Sequence, residues 1–256
     1  MKRDNYTINE WTDPFPSPVI DRYDDIIVVR DDLLEGGSKV RFLDYLIKTT
    51  DCDEWVFGGA NKIGWGPISL AYLCRKYNKK CTVFWAQRKE PTSQQKKYLE
   101  YGGNIIWVKM GMLSVTKSRA KKYYEQDTKR RKLLPLGLEH ELVTESAVKV
   151  AKQLAKEHNI NPDSIWSVGS SGSLNRSLQK AFPNAKANVV QVGHKMSDRE
   201  IGRAKLYVAD YKFDKPVKED EKPPFPSAPE YDAKCWKIML DNRNKNECNL
   251  FWNVAQ

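Results

Sequence analysis

The stretch VVRDDLLEGGSKVRFLDYLI, residues 28–47, decides how this chain is read. Ile26, Ile27, Val28 and Val29 form an apolar run of strand length, and the acidic, glycine-containing segment behind it ends that strand. Val40, Leu43, Leu46 and Ile47 then recur at helical spacing, which opens a helix at Lys39. A lysine in that place meets the positive end of the helix dipole, which disfavours a second positive charge and lowers the amine's pKa. Such an amine is suited to Schiff-base chemistry. On this segment alone, Lys39 also reads as an exposed lysine on a surface helix.

Outward from this stretch, apolar runs of strand length fall at 26–29, 55–58, 82–86, 104–109, 165–168, 188–192 and 249–254. Amphipathic stretches near 40–48, 67–77, 93–101, 114–125, 142–157 and 173–181 lie between them. The alternation predicts crossover βαβ units and mainly parallel sheets, an α/β fold. Gly102-Gly103 before NIIWVK joins a helix end to a strand start. The proline-rich, charged segment KFDKPVKEDEKPPFPSAPE, 212–230, is too broken for a helix and too polar for a core, and it reads as a long surface loop.

With 256 residues, 40% of them hydrophobic, the chain can bury one large core or two modest ones. It holds no run of 18 apolar residues, so no membrane span is expected, and MKRDNYTINEW has no apolar centre of the signal-peptide kind. Five cysteines without CxxC spacing argue for a reducing, cytoplasmic setting with neither zinc nor a disulfide framework. The net charge is +10, and much of it gathers in KSRAKKYYEQDTKRRK, 117–132. Such a block reads either as a polyanion-binding segment, with Tyr123 and Tyr124 able to stack on bases, or as an amphipathic helix with solvated lysines.

SVGSSGS, 167–173, lies between a predicted strand and the helix LNRSLQKAF. A small-residue turn there offers backbone N–H groups, a helix dipole and hydroxyls to a phosphate, or serves as a flexible turn. No Lys-Ser/Thr closes it, so it is not a P-loop, and its glycines do not follow the dinucleotide fingerprint. No G-x-S-x-G elbow supports serine hydrolase chemistry.

The order DD-L…GG-x-K-V-R-x-L-x-Y-L-I resembles the cofactor-lysine region of the tryptophan synthase β-subunit family, the fold type II pyridoxal-phosphate enzymes. Within it, the branch of 1-aminocyclopropane-1-carboxylate deaminase and D-cysteine desulfhydrase is the most similar. Further segments follow that family's order: TDPFPSPVI (12–20), WVFGGANKIGWGPISLAYLCRKYNKKCTVFW (55–85), LPLGLEHELVTESAVKVAKQL (134–154), SVGSSGSLNRSL (167–178), PEYDAKCWKIML (229–240) and NLFWNVAQ (249–256).

The resemblance implies a shortened two-domain α/β protein of mainly parallel twisted sheets flanked by helices, with pyridoxal 5′-phosphate between the domains. Residues 1–50 with 133–256 would form the large cofactor-binding domain and 51–132 the small one, and the family commonly forms homodimers. It assigns the internal aldimine to Lys39 and the phosphate cup to Gly169, Ser170, Ser171, Gly172 and Ser173. It sets Asp232 against the pyridine nitrogen, one methylene shorter than the family's glutamate, where the carboxylate would make the ring a strong electron sink. The same aspartate also fits the N-cap of the following helix. Tyr231 would be an acid/base or nucleophile. The 58–65 wall departs from the family pattern: one alignment puts Asn61 beside the cofactor's 3′-oxygen, and another puts Gly64 and Trp65 at the usual Ser-Asn positions, with Trp65 facing the substrate. Glu139 and His140 are candidate substrate contacts, although a histidine at a strand–helix junction equally suits capping. His158 and His194 have no partner pattern and read as structural.

The implied reaction is deamination, elimination or a related lyase step on an amino acid. Two alternatives stand beside it: the same cofactor acting on an amino acid attached to DNA or RNA, recruited by 117–132, and a non-catalytic descendant that keeps the architecture.

Overall fold

The two strands β1 (Val19–Tyr23) and β2 (Ile26–Arg30) form an antiparallel hairpin, closed at Asp24 with a left-handed φ of 52°. The computed structural model describes residues 7–61, 63–109 and 111–256. From β2 the chain runs through α1 (Lys39–Thr49), β3 (Glu54–Gly58), α2 (Gly66–Lys76), β4 (Lys80–Ala86) and α3 (Ser93–Glu100). It continues through β5 (Asn104–Val108), α4 (Leu113–Glu125), β6 (Arg131–Leu134), α5 (Glu141–Glu157), β7 (Ser164–Gly169) and α6 (Ser173–Ala181). The last elements are β8 (Lys186–Gln191), α7 (Asp198–Ile201), β9 (Lys205–Val208), α8 (Ala233–Asn242) and β10 (Asn249–Asn253). Local chemistry sets several of these boundaries. Pro67 enters the first turn of α2, and Thr92 with Gln95 forms a capping box at α3.

Two compact units emerge, one of residues 1–41 with 144–256 and one of residues 42–143. These boundaries differ from the expected 1–50 with 133–256. The physical reason at the second boundary is β6, which pairs with β3 and so keeps residues beyond 132 in the smaller unit.

The larger unit holds a six-stranded sheet in the order β1-β2-β10-β7-β8-β9, parallel except for the β1 hairpin. Every residue of β2, β7 and β10 is buried, as expected of central parallel strands covered on both faces. Trp166, Val168, Val190, Trp236, Met239 and Phe251 pack in one cluster, and Phe225 joins them. Phe225 corrects the surface-loop reading of 212–230. The segment has no α-helix, but it buries Val217 and sets the Phe225 ring 5.2 Å from Trp236 and 5.4 Å from Tyr23.

The smaller unit holds a four-stranded parallel sheet in the order β5-β4-β3-β6. Val56, Phe84, Val108 and Ala120 form the cluster beneath α4. A Cβ on Gly58 would lie 2.6 Å from the Ala120 side chain, so glycine is what lets α4 approach β3. Tyr123 is not offered for base stacking: its hydroxyl bonds Glu54 at 3.2 Å and its ring lies 3.7 Å beneath the Arg131 guanidinium. The five cysteines are free thiols, and no helix among the described residues is long and apolar enough to cross a membrane.

Candidate active site around Lys39 and Asp232

The site grows from the end of β2. A 3-10 turn over Asp31–Leu33 is followed by Gly36 and Gly37, with φ of 83° and 81°, conformations that side chains resist. The Gly37 N–H donates to the Leu34 carbonyl at 2.8 Å, and α1 begins two residues later, with Lys39 as its first residue. Beside it, Asp31 is fully buried and accepts from Arg41 Nε at 2.6 Å and from Trp252 Nε1 at 3.2 Å. Arg41 also pairs with Asp13 and donates to the Pro16 carbonyl at 2.6 Å. Asp32 receives two bonds from Arg30, each 2.9 Å, and Arg30 reaches Asp21 at 2.8 Å. Each buried carboxylate therefore has a cation, which is the condition for tolerating such charges. Even so, burial pushes the Asp31 pKa up to about 6, against the pull of Arg41.

The Lys39 amine is held below the usual lysine range. Burial is the principal cause, while the carboxylates of Asp232 and Asp31 act in the opposite direction. The lowering expected from the sequence is thus present, but desolvation is its source.

Asp232 stands at the start of α8, 1% exposed, and makes no capping bond to that helix. Its Oδ2 instead accepts from the backbone N–H groups of Val254 and Ala255, at 3.3 and 3.0 Å, just past β10. Its Oδ1 has no hydrogen-bond partner among the described residues. Burial pushes its pKa up to about 8, with Lys39 and the two amides opposing. An orphaned acceptor at full burial is costly, and such atoms call for an explanation. Beside it, burial and the Asp232 charge raise the Tyr231 pKa, against a smaller pull from the Ser170 backbone N–H. Tyr231 therefore stays protonated, suited to donating a hydrogen bond rather than acting as a nucleophile.

Ser170 belongs to the loop from β7 into α6. Gly172 sits at φ 68°, where a Cβ would come within 2.2 Å of the Glu200 carbonyl oxygen, and Gly169 is closed in by Val189 and Met196. No side chain caps α6 at Gly172. The Ser171 and Ser173 hydroxyls are 3.3 Å apart, and Arg176 holds the loop by donating to the Ser171 carbonyl at 3.0 Å. His194, read from sequence as structural, lies 3.4 Å from Ser170 Oγ through Nδ1 and 3.2 Å from Glu200 through Nε2. Nothing in the spacing of His194 announced this neighbour. By contrast, the acidic pair Asp31-Asp32 and Arg41 stood close to Lys39 in sequence and could have been read as its surroundings.

The structure thus gathers Lys39, Asp31, Asp232, Tyr231 and Ser170 in the larger unit. Asn61, Trp65, Glu139 and His140 belong to the smaller one. There Asn61 Oδ1 accepts from the Ile63 N–H at 3.0 Å, closing a local turn, and the Trp65 carbonyl accepts from Ser69. His140 Nδ1 accepts from the Leu142 N–H at 3.2 Å at the start of α5, while Glu139 is exposed.

No family model matches the chain. Among solved structures, an ACC deaminase homologue superposes with a TM-score of 0.75, at 16% identity, over 90% of this chain and 84% of its own. A hydrogen sulfide-producing enzyme from Fusobacterium nucleatum gives 0.69 at 13% identity, covering 93% of both chains. Serine racemase from Dictyostelium discoideum gives 0.64 at 16%, over 90% of this chain and 86% of that one. The fold is that of the type II pyridoxal-phosphate enzymes. One relative with a curated description, the glycyl-dTMP PLP-dependent decarboxylase of Pseudomonas phage M6, is 25% identical over 268 aligned positions, which cover 90% of this chain and 94% of the relative. In the type II fold of this chain, Lys39 opens the helix that follows β2 and Asp232 opens the helix that precedes β10.

Proposed function

We propose that the protein is a pyridoxal-phosphate enzyme that removes the carboxyl group of an amino acid carried on a deoxythymidylate. The observation that carries the cofactor is Asp232: a fully buried carboxylate with one oxygen satisfied by two amides and the other without a donor. A protonated ring nitrogen is the donor that Oδ1 lacks. The Lys39 amine, held below its usual range, would form the covalent link, and Gly169, Ser170, Ser171, Gly172 and Ser173 would hold the phosphate at the uncapped start of α6. The phage relative supports the substrate and the reaction, since its description gives a glycyl-dTMP decarboxylase. That match supports decarboxylation of a nucleotide-borne amino acid over deamination or elimination on a free one.

When bound, pyridoxal phosphate supplies an aldehyde carbon for the substrate's amino group and a ring that accepts the electron pair left as carbon dioxide departs. The chain's own groups handle the rest. Asp232 Oδ1 would hold the proton on the ring nitrogen, and its Oδ2 is fixed by Val254 and Ala255. Lys39 Nζ, displaced by the substrate amine, would deliver a proton to the carbon that lost the carboxylate. Tyr231, protonated, would donate a hydrogen bond at the same place. Asp232 is buried and Lys39 and Tyr231 are half-buried, so a bound substrate would complete the exclusion of water from these protons.

The test is incubation of the cofactor-loaded protein with a glycyl-thymidylate whose glycine keeps both its amino group and its carboxylate free, followed by carbon dioxide release and mass analysis of the nucleotide. Loss of the carboxyl group is the expected result. Ammonia and a keto acid formed from a free amino acid would instead favour deamination, and cofactor uptake without turnover of either would favour the non-catalytic descendant.

A further inference from the structure

The positive charge of this protein is divided unequally between its two units. Residues 42–143 carry 19 Lys and Arg against 10 Asp and Glu, a net +9. The rest of the chain carries 24 against 23, a net +1. Nearly the whole excess of the molecule therefore sits in the unit that contains none of Lys39, Tyr231, Asp232 or the 169–173 loop.

Within that unit α4 carries four cations, Lys117, Arg119, Lys121 and Lys122, against one carboxylate, Glu125. Of its 13 residues only Thr116 and Ala120 are buried, facing the sheet. Ser114, Val115, Ser118, Arg119 and Lys122 line one open groove along its outer side. Ser114, Ser118 and Lys122 recur every four residues, so they form a single stripe on the helix surface. Lys121 pairs with Glu125, Arg130 with Asp53, and Arg131 with Glu54. Lys117, Arg119 and Lys122 are exposed and have no carboxylate at ion-pair distance among the described residues. Met112 and Leu113, 64% and 50% exposed, stand at the helix start beside them. Exposed cations without a carboxylate partner, beside a stripe of hydroxyls, are the donors that contact phosphate and sugar without reading bases.

Resting on the reading of a thymidylate-borne substrate, we infer that the substrate is a residue of polymeric DNA, and that the outer face of α4 docks the phosphate backbone of that DNA. The α4 face contributes position and affinity, while the chemistry stays with the Lys39 site. A free thymidylate carries one phosphate group, whereas a polynucleotide offers one per nucleotide to the cations along α4. A deoxyribose polymer is favoured over RNA by the deoxythymidylate named for the phage relative.

The experiment measures fluorescence anisotropy of unmodified duplex DNA with the cofactor-loaded protein across a salt series. It compares the parent with K117Q/R119Q/K122Q and with K152Q/K215Q/K245Q, which removes the same charge from exposed positions of the other unit. Three lost phosphate contacts lower the slope of log affinity against log salt by about 3. The α4 variant is expected to show that loss and the control variant to stay within about 1 of the parent. An α4 variant that keeps the parent slope, or a control that falls equally, overturns the inference, as does tighter binding of an RNA duplex than of DNA. Carbon dioxide release from a glycyl-thymidylate mononucleotide is followed in the same three proteins. Its persistence when the docking result is negative leaves the proposed reaction standing. Its absence in the parent alongside α4-dependent DNA binding overturns the reaction and leaves the surface.

Discussion

Replacing Asp232 with asparagine separates the charge of this side chain from its shape. The amide oxygen of Asp232→Asn can accept the Val254 and Ala255 N–H bonds that Oδ2 accepts now, so the junction of α8 and β10 is kept. The proton is what changes. In the cofactor-free fold, burial places the carboxyl pKa at about 8, against about 3.9 in an unfolded chain. Between about pH 4 and pH 8 the unfolded chain has released a proton that the native state still holds. A carboxyl with a raised folded-state pKa therefore makes the wild type lose stability as pH rises through that window. The ceiling is about 1.4 kcal/mol per pH unit, and the loss levels off above about pH 8. Asparagine has no proton to release. The gap in stability should open in favour of Asp232→Asn from about pH 4 and widen by about 1 kcal/mol per unit, because Lys39 takes up part of the change. It should flatten near pH 8. Urea unfolding of both cofactor-free proteins at fixed pH steps reads the gap directly. Adding pyridoxal phosphate should stabilise the wild type more than the variant, because only the carboxylate can hold a protonated ring nitrogen. A gap that stays constant from pH 4 to pH 8 would mean that Asp232 carries no raised pKa in the native state.

Two further substitutions test the frame around the site. Phe225→Ala should cost about 3–5 kcal/mol in equilibrium unfolding, because its ring is 6% exposed among Tyr23, Trp236 and Phe251; a loss below about 1 kcal/mol would return 212–230 to a surface loop. Gly172→Ala forces a Cβ against the Glu200 backbone at positive φ, so it should destabilise the protein by about 1–3 kcal/mol and weaken uptake of pyridoxal phosphate more than of pyridoxal. Equal weakening of both compounds would remove the 169–173 loop from the phosphate.

The elements that carry Lys39 were legible because their burial is uniform. β2, β7 and β10 are buried throughout and hold the apolar runs Ile26–Val29, Ile165-Trp166 and Leu250–Trp252, and α1 repeats its apolar residues at helical spacing. β1, β6 and β9 were not, since VIDRY, RKLL and KLYV place charged residues on partly exposed strands whose pairing is tertiary. The same limit applies at the site. Asp232 suited a helix cap and a cofactor partner equally well in sequence, and only the fold brings the amides of Val254 and Ala255 to one of its oxygens while leaving the other bare. Asp31 and Asp32 read in sequence only as part of the segment that ends the strand, and the fold closes Arg41, Arg30 and Trp252 around them. His194 acquires Ser170 and Glu200 as neighbours through folding alone. In the smaller unit, Asn61 and His140 are engaged in local backbone bonds that sequence could only offer as one option among several.

Under the proposed function Lys39 is the covalent anchor of a decarboxylase. Its most direct measurement is borohydride reduction of the protein incubated with pyridoxal phosphate, with the adduct mapped by peptide mass analysis and carbon dioxide release from a glycyl-thymidylate followed in parallel. A single reduced adduct on Lys39 is expected, with neither adduct nor carbon dioxide in Lys39→Ala. An adduct on another lysine, or undiminished release of carbon dioxide by Lys39→Ala, would contradict it.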